Sequence, residues 1–269
     1  MKIVYEIHEL TSYINWAYFY FAWQLKDKRQ QSQIRMEADA FLKSLDGKYK
    51  VYALFQIMDA YSESDDIVLL QSGVRLPMLR QQQVGSEYLS LADFVSDKPT
   101  KIGIFATSVD RGMETDFDDE PYQKMMAQLL ADRLAEAAAE RMHEEVRKNY
   151  WGYATDENLS IKEMQMERFV GIRPAVGYPS LPDVSLNFLI NDVIDMKQIG
   201  ISLTESGAMR PHASVSGLML SHPKSHYFSI GKIGDDQVAD YARRRQLPVE
   251  IVRKFLSANI WITSTWLYY

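Results

Sequence analysis

Gly171-Ile-Arg-Pro-Ala-Val-Gly-Tyr-Pro-Ser-Leu-Pro-Asp183 sets three prolines and two glycines within thirteen residues. Proline fixes φ and has no backbone N–H to donate, so neither a helix nor a central strand can run through the stretch. It reads as a shaped loop. Its side chains suit a ligand. Arg173 offers a planar fork for a carboxylate or phosphate, Ala175 and Gly177 let a ligand approach the backbone, and Tyr178 adds an aromatic face with a polar tip. The same residues would also make a rigid turn whose arginine pairs with a nearby acid. Neither GxGxxG nor GxxxxGK[ST] spacing occurs, so this is no Rossmann or P-loop phosphate cradle.

Upstream lies the clearest helix signal, from Pro121 to about Tyr150. Asp116, Asp118, Asp119 and Glu120 crowd its start, where the helix dipole favours acids, and proline suits a first helical position. Met126, Leu129, Leu130, Leu134, Ala137 and Ala138 make an apolar stripe, and Gly152 follows the end. Asp132, Glu136 and His143 share a rough second stripe, but the second histidine of an HExxH zinc site is missing. A solvated acidic face explains them by default. Glu136, and Glu167 just before the loop, are candidate partners for a cation.

Further out, Thr11-Ser12 can cap a helix over Tyr13–Lys26, and Gln33–Leu45 continues helical. Strands are expected at Val51–Met58, Ile67–Gln71 and Ile102–Ser108, with a hairpin-like turn at Ser64-Asp65-Asp66. After the loop, short strands are expected at Leu203–Thr204, Ala213–Leu220 and Tyr227–Ile233, then a helical part over Asp235–Phe255. The whole is an α+β chain, one domain over residues 1–269, with a mixed or antiparallel sheet flanked by helices. Ser216 and His222 could be imagined in a hydrolytic triad, but no GxSxG elbow supports it, and hydroxyls serving turn backbone explain the region better.

Composition narrows the function classes. The 269 residues carry a formal charge of −6, which disfavours a nucleic-acid partner. Arg243-Arg244-Arg245 is the nearest basic run, and it reads as a solvated helix end following Asp235, Asp236 and Asp240. There is no cysteine, which excludes disulfides, thiolate metal sites and a cysteine nucleophile. No leader pattern and no span of bilayer length are visible, so a soluble, cytoplasmic chain with no membrane partner is expected.

Several strings resemble one known family. They are Leu130-Ala-Asp-Arg-Leu-Ala-Glu136-Ala with His143 and Arg147-Lys148-Asn-Tyr-Trp-Gly-Tyr153, the Gly171–Pro179 loop, Leu203-Thr-Glu-Ser-x-Ala-Met209, Ala213-Ser-Val-Ser-Gly217, Ser221-His-Pro223 and Asp236-Gln-Val-x-Asp-Tyr-Ala-Arg243. Together, from about Leu10 to Asn259, they resemble the activation domain of cobalamin-dependent methionine synthase. The resemblance implies an unusual α+β domain with a central, mainly antiparallel, twisted sheet. It also implies S-adenosylmethionine as bound cofactor, with cobalamin reached only through a partner protein and a flavoprotein reductant acting indirectly.

By the same resemblance the binding residues would be Asn15, Glu136, Glu167, Arg173, Ala175, Gly177, Tyr178, Tyr227 and Phe228. Arg173 would take the ligand carboxylate, and Glu136 and Glu167 would face its cations. No catalytic acid or base and no metal ligand is implied, and activity would require the partner. Two departures stand out: the family has aspartate where Asn15 stands, and commonly histidine where Val184 stands. The first should weaken binding about tenfold. The chain starts almost at the first helix of the domain, so it is expected to serve a separate methionine synthase core, or another corrinoid protein, in trans. The alternative is a degenerate relative that docks on a corrinoid protein or senses S-adenosylmethionine without methyl transfer. The aromatic tail Trp261–Tyr269 would bind a partner or pack on the chain itself.

Overall fold

Alternating apolar residues in two long strands organise the protein, a computed structural model of which describes residues 1–83, 85 and 87–261. The strands are β1 (Lys2–Tyr5), β2 (Val51–Glu63), β3 (Asp66–Leu69), β4 (Arg75–Pro77), β5 (Thr100–Val109), β6 (Ser202–Leu203), β7 (Met209–Arg210) and β8 (Ser214–Met219). The main sheet runs β4-β3-β2-β5-β8, with β1 also paired to β2, and every pairing is antiparallel. β6 and β7 form a separate two-stranded ribbon. The expected antiparallel α+β sheet is the one found.

The period of two puts Val51, Ala53, Phe55, Phe105 and Val109 on one face of the sheet. Leu54, Met58, Ala60, Ile102, Ile104 and Ala106 line the other. The helices are α1 (Ile7–Leu10), α2 (Trp16–Ala22), α3 (Lys28–Leu45), α4 (Gly112–Thr115), α5 (Pro121–Glu145), α6 (Ile161–Gln165), α7 (Leu186–Ile194), α8 (Asp235–Arg245) and α9 (Val249–Phe255). α5 crosses the first face beside α1, α2 and α3, and its small residues Ala131, Ala135 and Ala138 let it lie close to the strands. Thr107 of β5 reaches it, donating its hydroxyl to the Ala135 carbonyl at 2.9 Å. α7 covers the second face.

Several boundaries differ from the sequence expectation. Asn15, not Thr11-Ser12, caps α2: its side-chain oxygen accepts the Ala17 N–H at 3.2 Å, while Thr11–Tyr13 forms a 3-10 turn. β2 runs five residues beyond Met58, because its far end pairs with β3 through the two-residue turn at Ser64-Asp65. The long helix changes at Val146–Tyr150 into a π-helical turn. Tyr227–Ile233 is not a strand; it has no regular structure beyond an isolated bridge from Ile233 to Ile260. The Asp235–Phe255 segment is two helices, broken where Gln246 turns left-handed (φ 53°) ahead of Pro248.

The basic run is a solvated end only at Arg243, whose side chain is 73% exposed. Arg244 is buried against Asp66 and Asp240, and Arg245 against Asp183. His143 is fully buried, not part of a solvated face. Among the described residues no helix is long and apolar enough to cross a membrane. Of the aromatic tail, residues 262–269 lie outside the described residues; Trp261 donates its N–H to the Ile233 carbonyl at 3.3 Å.

Candidate ligand-binding site

The proline-rich stretch is seated on the edge of the main sheet. Ile172 and Leu220 exchange backbone hydrogen bonds at 2.9 Å in both directions, Leu218 N–H donates to Pro174 at 3.0 Å, and Val176 N–H donates to Ser216 at 2.9 Å. The loop therefore begins as an irregular extra strand against β8. An edge position tolerates Pro174, whose carbonyl still accepts. The approach is so close that a Cβ at Gly217 would fall 2.1 Å from the Pro174 oxygen, which only glycine permits. At the far end, Asp183 accepts from Tyr241 (2.8 Å), from Arg245, and from the hydroxyl and N–H of Ser185 (2.7 and 2.9 Å). That buried, fully satisfied carboxylate ties the loop to α8.

A cleft of about 600 Å³ opens between this loop and α5. One turn of spacing places Arg133, Glu136 and Glu140 of α5 along one wall. Asn15 and Tyr18, at the start of α2, form a second wall, and Glu167 with Gln165 a third. Arg173, Ala175, Tyr178, Tyr227 and Phe228 complete it. The structure thus gathers eight of the nine expected binding residues around one space. Gly177 alone is outside the wall; its positive φ of 88° shapes the turn, where Val184 packs beside it.

The electrostatics are uneven. Arg173 is 7% exposed and pairs with Glu140 through one guanidinium nitrogen. Burial alone would push its pKa down, but Glu140, Tyr227 and Glu136 together hold it above the ordinary value. The backbone N–H of Arg173 donates to the Tyr227 hydroxyl at 2.9 Å, which fixes the strand-like approach of the loop. Glu136 accepts from the Tyr178 hydroxyl. Burial, and then Glu136, push the Tyr178 pKa well above the ordinary phenol range.

Glu167 follows α6 in a left-handed conformation at φ 58°. Desolvation, then the neighbouring Glu140, raise its carboxyl above the usual carboxylate range. Among the described residues its side chain makes no hydrogen bond or ion pair. A strained backbone that holds an unpartnered acid at a cleft is the kind of arrangement kept for binding.

Two atoms in this wall are buried without partners: Nε of Arg173 and Oε2 of Glu140. A cleft that leaves one donor and one acceptor unpaired, flanked by further carboxylates and by the rings of Tyr178, Tyr227 and Phe228, can take a ligand carrying both charges and a flat apolar part. Sequence reasoning did not single out Glu140, Arg133 or Tyr18. The four-residue spacing from Glu136 to Glu140 is the signal that would have found the first. The imagined triad is not assembled: the Ser216 hydroxyl is buried and donates to Asn187, while His222 accepts from the Lys224 N–H at 3.2 Å.

The protein is similar in structure to the crystal structure of the MetH reactivation domain bound to AdoHcy, with a TM-score of 0.91 and 35% identity. The match covers 98% of this chain and 90% of that one. The family described as "Vitamin B12 dependent methionine synthase, activation domain" matches residues 6–246. The loop, the long helix and the cleft they share all fall inside that range, and the chain belongs to the activation-domain family of vitamin B12-dependent methionine synthases.

Proposed function

We propose that the cleft between α5 and the Arg173 loop binds S-adenosylmethionine and presents it to a cobalamin-bearing partner for reductive remethylation. The observation that carries this reading is the half-used Arg173, buried beside Glu140 with Nε unpaired, in a cleft that also holds Glu136 and Glu167. S-adenosylmethionine combines a carboxylate, an ammonium, a sulfonium and a flat heterocycle, which fits this donor and acceptor set. When bound it supplies an electrophilic methyl group. With one electron supplied by a reductant, the partner's cob(II)alamin would be the acceptor of that methyl, and S-adenosylhomocysteine would be the product left in this cleft.

The residues here have positional work only. Arg173 holds the carboxylate, the three acids balance the cations, and Tyr178 keeps Glu136 oriented toward the cleft. No proton moves in the transfer, so what the protein supplies is alignment of donor and acceptor and exclusion of water. The cobalamin protein and the flavoprotein that delivers the electron are partners of this reading. Val184, beside the loop turn, belongs to the face that would meet the corrinoid.

The test combines the purified chain with a methionine synthase core lacking its own activation domain, cob(II)alamin, a reductant and S-adenosylmethionine. Growth of the methylcobalamin absorbance only in the complete mixture is expected; a mixture that stays cob(II)alamin counts against the proposal. Asn15 favours one alternative, a chain that docks or senses without transfer. Its carbonyl oxygen is committed to capping α2, so toward the cleft it offers an amide in place of a charge. Binding to the corrinoid core with no calorimetric response to millimolar S-adenosylmethionine would support that alternative.

A further inference from the structure

Within the cleft, the acids are not equivalent. Glu136 is engaged by the Tyr178 hydroxyl, and Glu167 lines the cleft from just beyond α6, near enough to Glu140 for the two charges to repel. Glu140 is the acid in direct contact with Arg173. Its Oε1 takes one guanidinium nitrogen, while its Oε2 and the Nε of Arg173 are each buried without a partner. The arginine side chain is more than nine-tenths buried. An isolated buried acceptor of negative charge wants an N–H donor, and an isolated buried N–H of a cation wants an anionic acceptor. An α-amino acid head group carries both, two bonds apart.

Resting on the reading of the cleft as an S-adenosylmethionine site, we propose that Glu140 contacts the ligand directly. Its free oxygen receives the α-ammonium while Arg173 takes the adjacent carboxylate, so that the pair recognises the zwitterion as a unit. The division of labour follows. Glu140 and Arg173 read the amino-acid end, which leaves Glu136 and Glu167 for the sulfonium. The site then discriminates by the head group: 5′-methylthioadenosine lacks it altogether, and a des-amino analogue of S-adenosylhomocysteine keeps only the half that Arg173 reads. α5 is the right element for this task, because Glu140 lies one turn beyond Glu136 on a helix pinned along the sheet.

The experiment is calorimetric titration of the full chain with S-adenosylhomocysteine, its des-amino analogue and 5′-methylthioadenosine, repeated on Glu140→Gln. The wild-type chain is expected to bind S-adenosylhomocysteine roughly tenfold to a hundredfold more tightly than the des-amino analogue, as one charge-assisted hydrogen bond provides. Glu140→Gln should lose that factor for S-adenosylhomocysteine and hold the des-amino analogue within about threefold of wild type. A wild-type chain indifferent to the amino group overturns the proposal, and it does so even if the variant does not fold. So does a variant that weakens both ligands alike, the outcome of a merely structural role. A chain that binds none of the three ligands rejects the reading of the cleft itself, whereas tight S-adenosylhomocysteine binding without amino selectivity rejects the role of Glu140 alone.

Discussion

Arg147 and Arg173 are both buried arginines beside the C-terminal half of α5, yet they are used in opposite ways. Arg147 is fully buried and grips Glu157 with two nitrogens, at 2.9 and 2.6 Å, under the ring of Phe169 at 4.3 Å. Glu157 is itself only 8% exposed, so both of its oxygens are committed away from water, although the third guanidinium nitrogen, Nη1, is buried without a partner. Arg173 touches its acid through one nitrogen, and Glu140 is 23% exposed at the cleft. A bidentate pair with both members out of water holds structure together, here the segment after the π-helical turn. A monodentate pair with unpaired atoms at a cavity is an arrangement waiting for a third partner.

Truncation should separate the two most sharply. Arg147→Ala strands the Glu157 carboxylate in a dry site, and a loss of about 3–5 kcal/mol in unfolding free energy is expected from urea titration. Arg173→Ala leaves Glu140 able to reach water in the cleft. Its stability should fall by only about 1–2 kcal/mol, whereas its affinity for S-adenosylhomocysteine should drop about a hundredfold, close to 2.7 kcal/mol. Equal stability losses in the two variants would mean that the two arginines are used alike.

His143 sits between the two and sharpens the comparison with pH. It is fully buried, its Nε2 lies 3.4 Å from the Tyr153 hydroxyl, and its ring packs edge-on against Phe169 at 5.1 Å. Burial first, then the positive charges of Arg147 and Arg173, hold its pKa well below 6.5. The unfolded chain binds a proton near 6.5 that the native state refuses. The contribution is therefore fully present above that pH and is lost as pH falls below it, by about 1.4 kcal/mol per unit. Unfolding free energies measured at pH 7.5 and pH 5.5 should show this slope in the wild-type chain. In His143→Gln the difference between the two pH values should shrink by about 1 kcal/mol.

The two arginines also show what a sequence displays and what it withholds. The Gly171–Asp183 stretch is legible as a loop because proline and glycine limit the backbone wherever they stand. What it pairs with is not legible: the contact with β8 depends on Gly217, more than thirty residues away, having no side chain. α5 announces itself through Pro121 and the acids ahead of it. Its polar positions do not announce their surroundings, because alanines 137, 138 and 139 are all buried and the helix has no simple solvent face. For that reason His143 looks solvated and is not, and Glu140 goes unnoticed beside Glu136. The Arg243–Arg245 run misleads for a related cause. Its partners Asp66 and Asp183 come from distant segments, and only the fold brings them within reach. Of the nine residues implied by family resemblance, eight line one cleft, since a motif carries its geometry with it even where local physics is silent.

The smallest expected effect tests whether strain at the cleft serves binding. Glu167 holds φ at 58°, where a residue with a Cβ is disfavoured by roughly 1 kcal/mol relative to glycine. Glu167→Gly removes that strain and the carboxylate together. Thermal unfolding should therefore rise by a few degrees, the equivalent of about 0.5–1 kcal/mol, while S-adenosylhomocysteine binding remains as in wild type, because that ligand has no sulfonium, and S-adenosylmethionine binding weakens about tenfold. Glu167→Ala, which keeps the strain, should show the same ligand effect without the gain in stability. If both ligands respond equally to Glu167→Gly, this acid is not reserved for the sulfonium, and the negative charge facing that group comes from Glu136 alone.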